Sequence, residues 1–372
     1  MAVMGTTTGL TATNVGGRSG RIQRRGRRSL ATWFAVMLVA LLGMGCSGGQ
    51  TPSGSTASVE KSGSYPVTIE HRYGSTTLDQ KPSRVVVIGL QEQDALIALG
   101  TVPVAVMTWD GYFSSGVLGP WSKALLGEQP APAELSFAAD GAPPYEEIAN
   151  LKPDLIVGLY SDLSDTQYAR LSQIAPTLAQ PKDTNDYAAT WEQITPTLAQ
   201  ALDEKAQGDQ LLAQTRARIA QTRAQFPQFD GKTGLSIYRN ADGYSVSAAT
   251  DPRGQFLQML GFTQSQAVKD ALGDNFDATI SFERADLIDA DVLVWEPQDV
   301  GALKRELAAD PIYSGLRVAR EDRSVYIQAG SDASCAYYFA SVLSIPYLLD
   351  RLAPQIAVAV DGNPATVPAT VT

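Results

Sequence analysis

The 372-residue chain contains one histidine, His71, and two cysteines, Cys46 and Cys335. One imidazole cannot supply a zinc motif that needs two, a multi-histidine cage or a catalytic histidine pair. Two thiols cannot build a disulfide framework. No G-x-S-x-G elbow occurs, and His71 alone would have to serve any serine nucleophile. His71 is read on the polar phase of a strand, as a solvated residue, and Cys335 as a small buried side chain. Gly43-x-Gly45-x-x-Gly48 follows no strand, and Gly231-Lys232-Thr233 lacks the upstream glycine of a phosphate loop, so neither supports nucleotide binding. No acid/base or nucleophile set emerges, and the chain is read as a non-enzyme. What it does offer is aromatic surface and positive charge at regular places. Gln91, Glu92, Trp109, Tyr112, Tyr160, Tyr238, Arg239, Tyr244 and Trp295 fall at or just past the ends of expected strands. Trp109, Tyr112, Tyr160, Tyr238, Arg239 and Trp295 form the candidate binding set. The aromatics suit a large, flat or chelated ligand, with Arg239 as an anion partner.

The elements that must position these residues alternate between strands and helices. Val67–Gly74 reads as an opening strand and turn, Arg84–Gly89 as a buried strand, Glu92–Leu99 as a helix, and Val102–Met107 and Leu155–Leu159 as further strands. The second half restarts with strands at Gly234–Arg239, Val292–Trp295 and Val325–Ala329 and a helix at Gly254–Leu260. Between the halves, Asp203–Phe226 reads as one helix closed by Pro227, with Leu212, Ile219 and Thr222 at helical spacing. At about 1.5 Å per residue it spans roughly 35 Å, enough to make a stiff joint. The expected fold is therefore α/β, with two lobes, each a mainly parallel sheet with flanking helices, joined by one long rigid α-helix. An internal repeat agrees: Glu146 stands eight residues before Asp154, and Glu283 eight before Asp291, each aspartate leading into a buried strand.

The first 45 residues read as an address. Six arginines up to Arg28 precede an apolar run from Leu30 to Leu42, short for a membrane span at about 1.5 Å rise per residue but normal for a signal-peptide core. Gly45-Cys46 and the Ser/Gly/Thr/Pro stretch after it resemble a bacterial lipobox and tether, with Cys46 the lipidation site, although Gly43 stands where the pattern prefers leucine. Arg27-Arg28 partly resembles a twin-arginine signal. Setting the six arginines aside leaves 23 basic against 39 acidic residues, a net charge of −16 that disfavours nucleic acid as a partner. The expected divisions are signal peptide 1–45, lipidated tether 46–65, first lobe 66–202, bridging helix 203–226, second lobe 227–356 and a flexible tail 357–372.

Lys81-Pro82-Ser83-Arg84-Val85-Val86-Val87, Leu151-Lys152-Pro153-Asp154-Leu155-Ile156-Val157, Gly254-Gln255-Phe256-Leu257-Gln258-Met259-Leu260-Gly261-Phe262 and Asp289-Ala290-Asp291-Val292-Leu293-Val294 occur in an order that resembles a known family. It is the iron-siderophore type of substrate-binding lipoprotein of ABC importers, a group that includes cobalamin and haem binders. The resemblance covers about residues 66–355. It implies a monomer, exported and lipid-anchored to the outer face of the cytoplasmic membrane, that captures a ferric siderophore between its lobes and delivers it to the permease. It further implies that one acidic residue on each lobe, Glu146 and Glu283, meets arginines of the membrane subunits. No resident cofactor or metal is expected, because relatives that hold bare metal use histidines, so iron would arrive chelated. Haem stays open, since tyrosine can serve as an axial ligand. Cobalamin binding, an α/β enzyme and a cell-envelope scaffold with a degenerate cleft are the competing readings.

Overall fold

The computed structural model describes residues 64–108 and 116–372. The signal, Cys46 and its tether up to residue 63, Trp109 and Tyr112 lie outside the described residues. Among those described, no helix is long and apolar enough to cross a membrane.

A hairpin of β1 (Val67–His71) and β2 (Gly74–Leu78) opens the chain, with His71 paired to Gly74 across the turn. Here His71 departs from expectation: it is buried, not solvated. Side chains alternate with period two, so His71 shares its face with Val67 and Ile69. The Tyr73 amide donates to Nδ1 at 3.2 Å, leaving Nε2 to donate to Thr76 Oγ1 at 2.9 Å, and that hydroxyl donates onward to the Thr177 carbonyl. Burial holds the imidazole below its ordinary pKa.

The first sheet contains β3 (Val85–Val87), β4 (Ala105–Thr108), β5 (Ala133–Ser136), β6 (Leu155–Val157) and β7 (Thr177–Leu178), all parallel, in the order β5-β4-β3-β6-β7. The second contains β8 (Gly234–Arg239), β9 (Gly243–Ser247), β10 (Asp277–Ser281), β11 (Val292–Trp295) and β12 (Ser324–Tyr326), in the order β10-β9-β8-β11-β12. The two sheets thus share one pattern, third-second-first-fourth-fifth. The second is mixed, because β9 runs antiparallel to both β8 and β10. In each sheet the strand order reverses beside its first strand, between β3 and β6 and between β8 and β11. Open α/β sheets form a crevice at the carboxyl ends of the strands at such a point.

The internal repeat has a structural cause. Asp154, just before β6, accepts hydrogen bonds from the Ser83 amide and hydroxyl and the Arg84 amide, which lead into neighbouring β3. Asp291, just before β11, accepts from the Thr233 amide and hydroxyl, which lead into neighbouring β8. Each carboxylate ties the starts of two parallel strands at the switch point.

The bridging helix is Lys205–Gln225, preceded by a helix over Trp191–Ala201. Gly208 lets the two cross closely: a Cβ there would lie 2.4 Å from that of Ala199. Leu212, Thr215 and Thr222 face inward, and Thr215 Oγ1 donates to the Val342 carbonyl at 3.2 Å. One apolar core runs without a break from Val85, Val87 and Val157 of the first sheet, through Leu212 and Phe229, to Val292, Val294 and Val325 of the second. The opposite face of each sheet has its own core. The C-terminal helix, Ser344–Val360, seals the shared core. The final residues, expected as a free tail, instead return to the second sheet: Val371 is buried, and its amide donates to the Tyr326 carbonyl at 2.8 Å. This backbone pairing covers the open edge of β12.

Candidate functional site

A cleft of about 640 Å³ opens between the lobes, lined by Tyr160 and Tyr187 on one side and, on the other, by residues at the end of β8, at the start of β10 and past β11. The first wall depends on a buried acid. Glu92 opens the helix Glu92–Ala98, and its carboxyl accepts from the Tyr160 amide at 2.8 Å and the Gln91 amide at 3.0 Å, bracketing the segments after β6 and β3. Burial pushes this carboxyl up to about 7, against the pull of those amides. The approach requires glycine at position 89, where a Cβ would lie 2.0 Å from Glu92 Oε1. Gln91 and Glu92 are therefore sealed scaffold that aims Tyr160. The Tyr160 ring lies 5.6 Å from Tyr187 and, across the lobes, 6.1 Å from Phe339. Tyr187 Oη donates to Asp162 Oδ1 at 2.9 Å.

On the second wall, Tyr238 and Arg239 end β8 at the cleft, where they were expected. Tyr238 is exposed, and its Oη donates to Asp277 Oδ2 at 3.1 Å. Arg239 is already engaged: Nη1 lies 3.6 Å from Glu306 Oε2, and the guanidinium covers the Phe282 ring at 4.6 Å. Trp295 borders the cleft as expected, but its side chain does not face it. Its side chain is fully buried on the far face of the second sheet with Leu293, and its Nε1 donates to Ser324 Oγ at 3.2 Å. Strand alternation turns Val292 and Val294 toward the shared core and Leu293 and Trp295 away from it. Tyr244 is buried in the same far-side cluster, with its Oη donating to Asp310 Oδ2 at 3.2 Å.

A buried cation in the cleft escaped the rule of reading past each strand. Arg253 lies in the first turn of the helix Pro252–Met259, capped by Asp251. Asp251 Oδ1 accepts from the Arg253 amide and Nε, both at 2.8 Å, and Oδ2 accepts from Nη2 at 2.7 Å. Tyr338 stacks on the guanidinium at 4.4 Å. Asp251 is 1% exposed and Arg253 8%, so the pair is held rigidly in the floor. Nη1 makes no hydrogen bond among the described residues, and the cleft is where it can find one. One sequence signal existed: a cation in the first turn of a helix opposes the helix dipole and calls for a reason. Glu296, one residue beyond Trp295, also lines the floor, with Oε1 accepting from Ser334 Oγ. Burial pushes its carboxyl up to about 8.

No group of three or more His, Cys, Asp or Glu side chains among the described residues could hold a metal ion. The cleft can instead grip a pre-formed complex: aromatic faces for its organic shell and a fixed guanidinium for its oxygens.

Glu146 and Glu283 are exposed in the first turns of the helical segments Tyr145–Asn150 and Phe282–Ile288. The first segment leads to the start of β6, and the second follows the carboxyl end of β10, which runs parallel to β8. Glu283 therefore stands at the carboxyl edge of the second sheet, and Glu146 opens the segment that runs into the amino end of β6.

Comparison with known proteins agrees with this geometry. The Fe(3+)-citrate-binding protein YfmC of Bacillus subtilis is 28% identical over 294 residues, covering 78% of this chain and 86% of that protein. A periplasmic solute binding protein of Mycobacterium smegmatis is 34% identical with a TM-score of 0.68, covering 79% of this chain and 98% of that one. PiaA of Streptococcus pneumoniae, solved in complex with ferrichrome, is 27% identical with a TM-score of 0.70, covering 80% and 99%. The family profile described as periplasmic binding protein matches residues 85–329, and the chain belongs to that family.

Proposed function

We propose that this protein is the extracytoplasmic solute-binding component of an ABC importer, and that it captures a ferric siderophore or similar chelate in the interlobe cleft. The observation that carries the reading is the Arg253 guanidinium, locked by Asp251 and stacked under Tyr338, with Nη1 left for a ligand oxygen. Relatives named for Fe(3+)-citrate and ferrichrome binding support the choice of a chelate. Haem is the weaker candidate. No relative or solved structure named above is described as a haem binder, whereas two are named for ferric chelates. Delivery then takes a monomer anchored through lipidated Cys46, with Glu146 and Glu283 meeting the permease.

The test is a titration of the purified protein with ferric citrate, ferrichrome, haem and uncomplexed Fe³⁺, read by ligand absorbance after separation and by tryptophan fluorescence. Saturable binding of a ferric chelate at micromolar concentration or below, without binding of uncomplexed iron, is the expected result. Binding of haem alone would replace the siderophore reading, and turnover of any ligand would make the protein an enzyme.

A further inference from the structure

Glu296 follows β11 at the switch point of the second sheet, in the cleft floor. Its Oε1 has the Ser334 hydroxyl, while its Oε2 is enclosed and has no hydrogen-bond partner. An ionised carboxylate cut off from water with one hydrogen bond is strongly disfavoured. The nearby Arg253 cation relieves it only in part, because its Nε and Nη2 go to Asp251, whose own charge acts on Glu296 in the opposite sense. From the helix Asp332–Tyr338, Cys335 and Tyr337 also face Glu296, and burial keeps both uncharged; Asp332 begins the same helix. Elsewhere in the cleft Arg239 is paired with Glu306, and Asp277 and Asp299 belong to the same wall. The Asp251–Arg253 and Arg239–Glu306 pairs each cancel and Asp277 and Asp299 remain on the wall, so ionising Glu296 adds a further negative charge in the floor beside Arg253.

We propose that Glu296 selects the ligand by charge: as an uncharged acid it admits an anionic ferric chelate beside Arg253, and as a carboxylate it repels one. The inference rests on the ferric-chelate reading and narrows it to anionic complexes. Because burial pushes this carboxyl up to about 8, the changeover falls within a pH range where binding can be measured. The sign is fixed: the acid is uncharged below that pH and charged above it.

The experiment measures the affinity of the purified protein for ferric citrate, which is anionic, and ferrichrome, which is not, from about pH 6 to about pH 9.5. Coupling between two sites commonly amounts to about 5–150-fold, so ferric citrate affinity should fall about tenfold or more across the range, while ferrichrome affinity stays level. Glu296→Gln should remove the difference between the two profiles. Ser334→Ala deletes the hydrogen bond that lowers the acid's pKa and should move the midpoint to higher pH. Parallel wild-type and Glu296→Gln profiles, or an unmoved midpoint in Ser334→Ala, would overturn this inference while leaving the chelate reading intact. Failure of every variant and of the wild type to bind either chelate at any pH would overturn both.

Discussion

Arg253 shows how a single side chain can be both scaffold and binding group. Its Nε and Nη2 belong to Asp251, and only the remaining edge of the fork serves a ligand. Replacing it by methionine should therefore have two consequences. Ligand affinity should drop by at least about 30-fold, the typical effect of truncating one partner of a buried charged contact. Stability should also fall by about 3–5 kcal/mol, since Asp251 would be left as an unpaired buried charge. Adding Asp251→Asn should recover part of the melting temperature without recovering affinity. Recovery of both would mean that Arg253 only props up the helix. The rule of reading past each strand found Tyr160, Tyr238 and Arg239 in the cleft, because those side chains do stand at carboxyl ends. It could not find Arg253, which enters from a helix start, and it stopped at Trp295, whose side chain turns away, one position short of Glu296. A strand end tells which residue leaves the sheet, but not which face the last residue takes.

At the scale of elements, legibility followed hydrophobic patterning. The β-branched runs that become β3, β6 and β11 are buried on both faces, and such runs stand out in any sequence. Ala133–Ser136 is an edge strand that is mostly exposed, and Gly243–Ser247 is fully buried yet built of glycine, serine, tyrosine and valine; neither has a run to detect. Glu92 was noticed only as a residue at a strand end, because its role depends on tertiary contact with the Tyr160 amide. That role has a measurable signature. Its folded pKa, about 7, lies above the unfolded carboxyl value, so between the two the native state holds a proton that the unfolded chain has lost. The stabilisation is complete on the acid side and is lost as pH rises through about 7, a change on the order of 3 kcal/mol. Glu92→Gln cannot titrate. The difference between wild-type and variant melting temperatures, followed from about pH 5 to about pH 8.5, should change in that direction. A constant difference would show that Glu92 stays ionised in the fold.

At the scale of the whole molecule, the two lobes are one object. A continuous apolar core passes beneath the cleft, and Asp94 of the first lobe accepts a hydrogen bond from Ser341 Oγ of the second at 2.6 Å. With the bridging helix packed along that core, the carboxyl edges of both sheets keep a fixed relation, and so do residues mounted on them. Glu146 and Glu283 each open a helical segment joined to one of these two sheets. Glu283 is held below the usual carboxylate range by its own backbone amide and by the Ser281 hydroxyl, so it is ionised at any physiological pH. Neither side chain lines the cleft, and each is exposed at the start of its segment. A membrane receptor with two complementary cations could use the pair as a two-point gauge of the protein's orientation. Exposed charges of this kind contribute little to folding, whereas a charge desolvated against a partner is costly to remove. Replacing both glutamates by alanine should abolish uptake of the ferric chelate by cells that depend on this protein, while the purified variant keeps its ligand affinity and melting temperature. A swap to aspartate at both positions should restore part of the uptake, because charge survives with a shorter reach. Full uptake by the double-alanine variant would exclude docking through this pair, and lost ligand affinity would assign the two glutamates to the cleft instead.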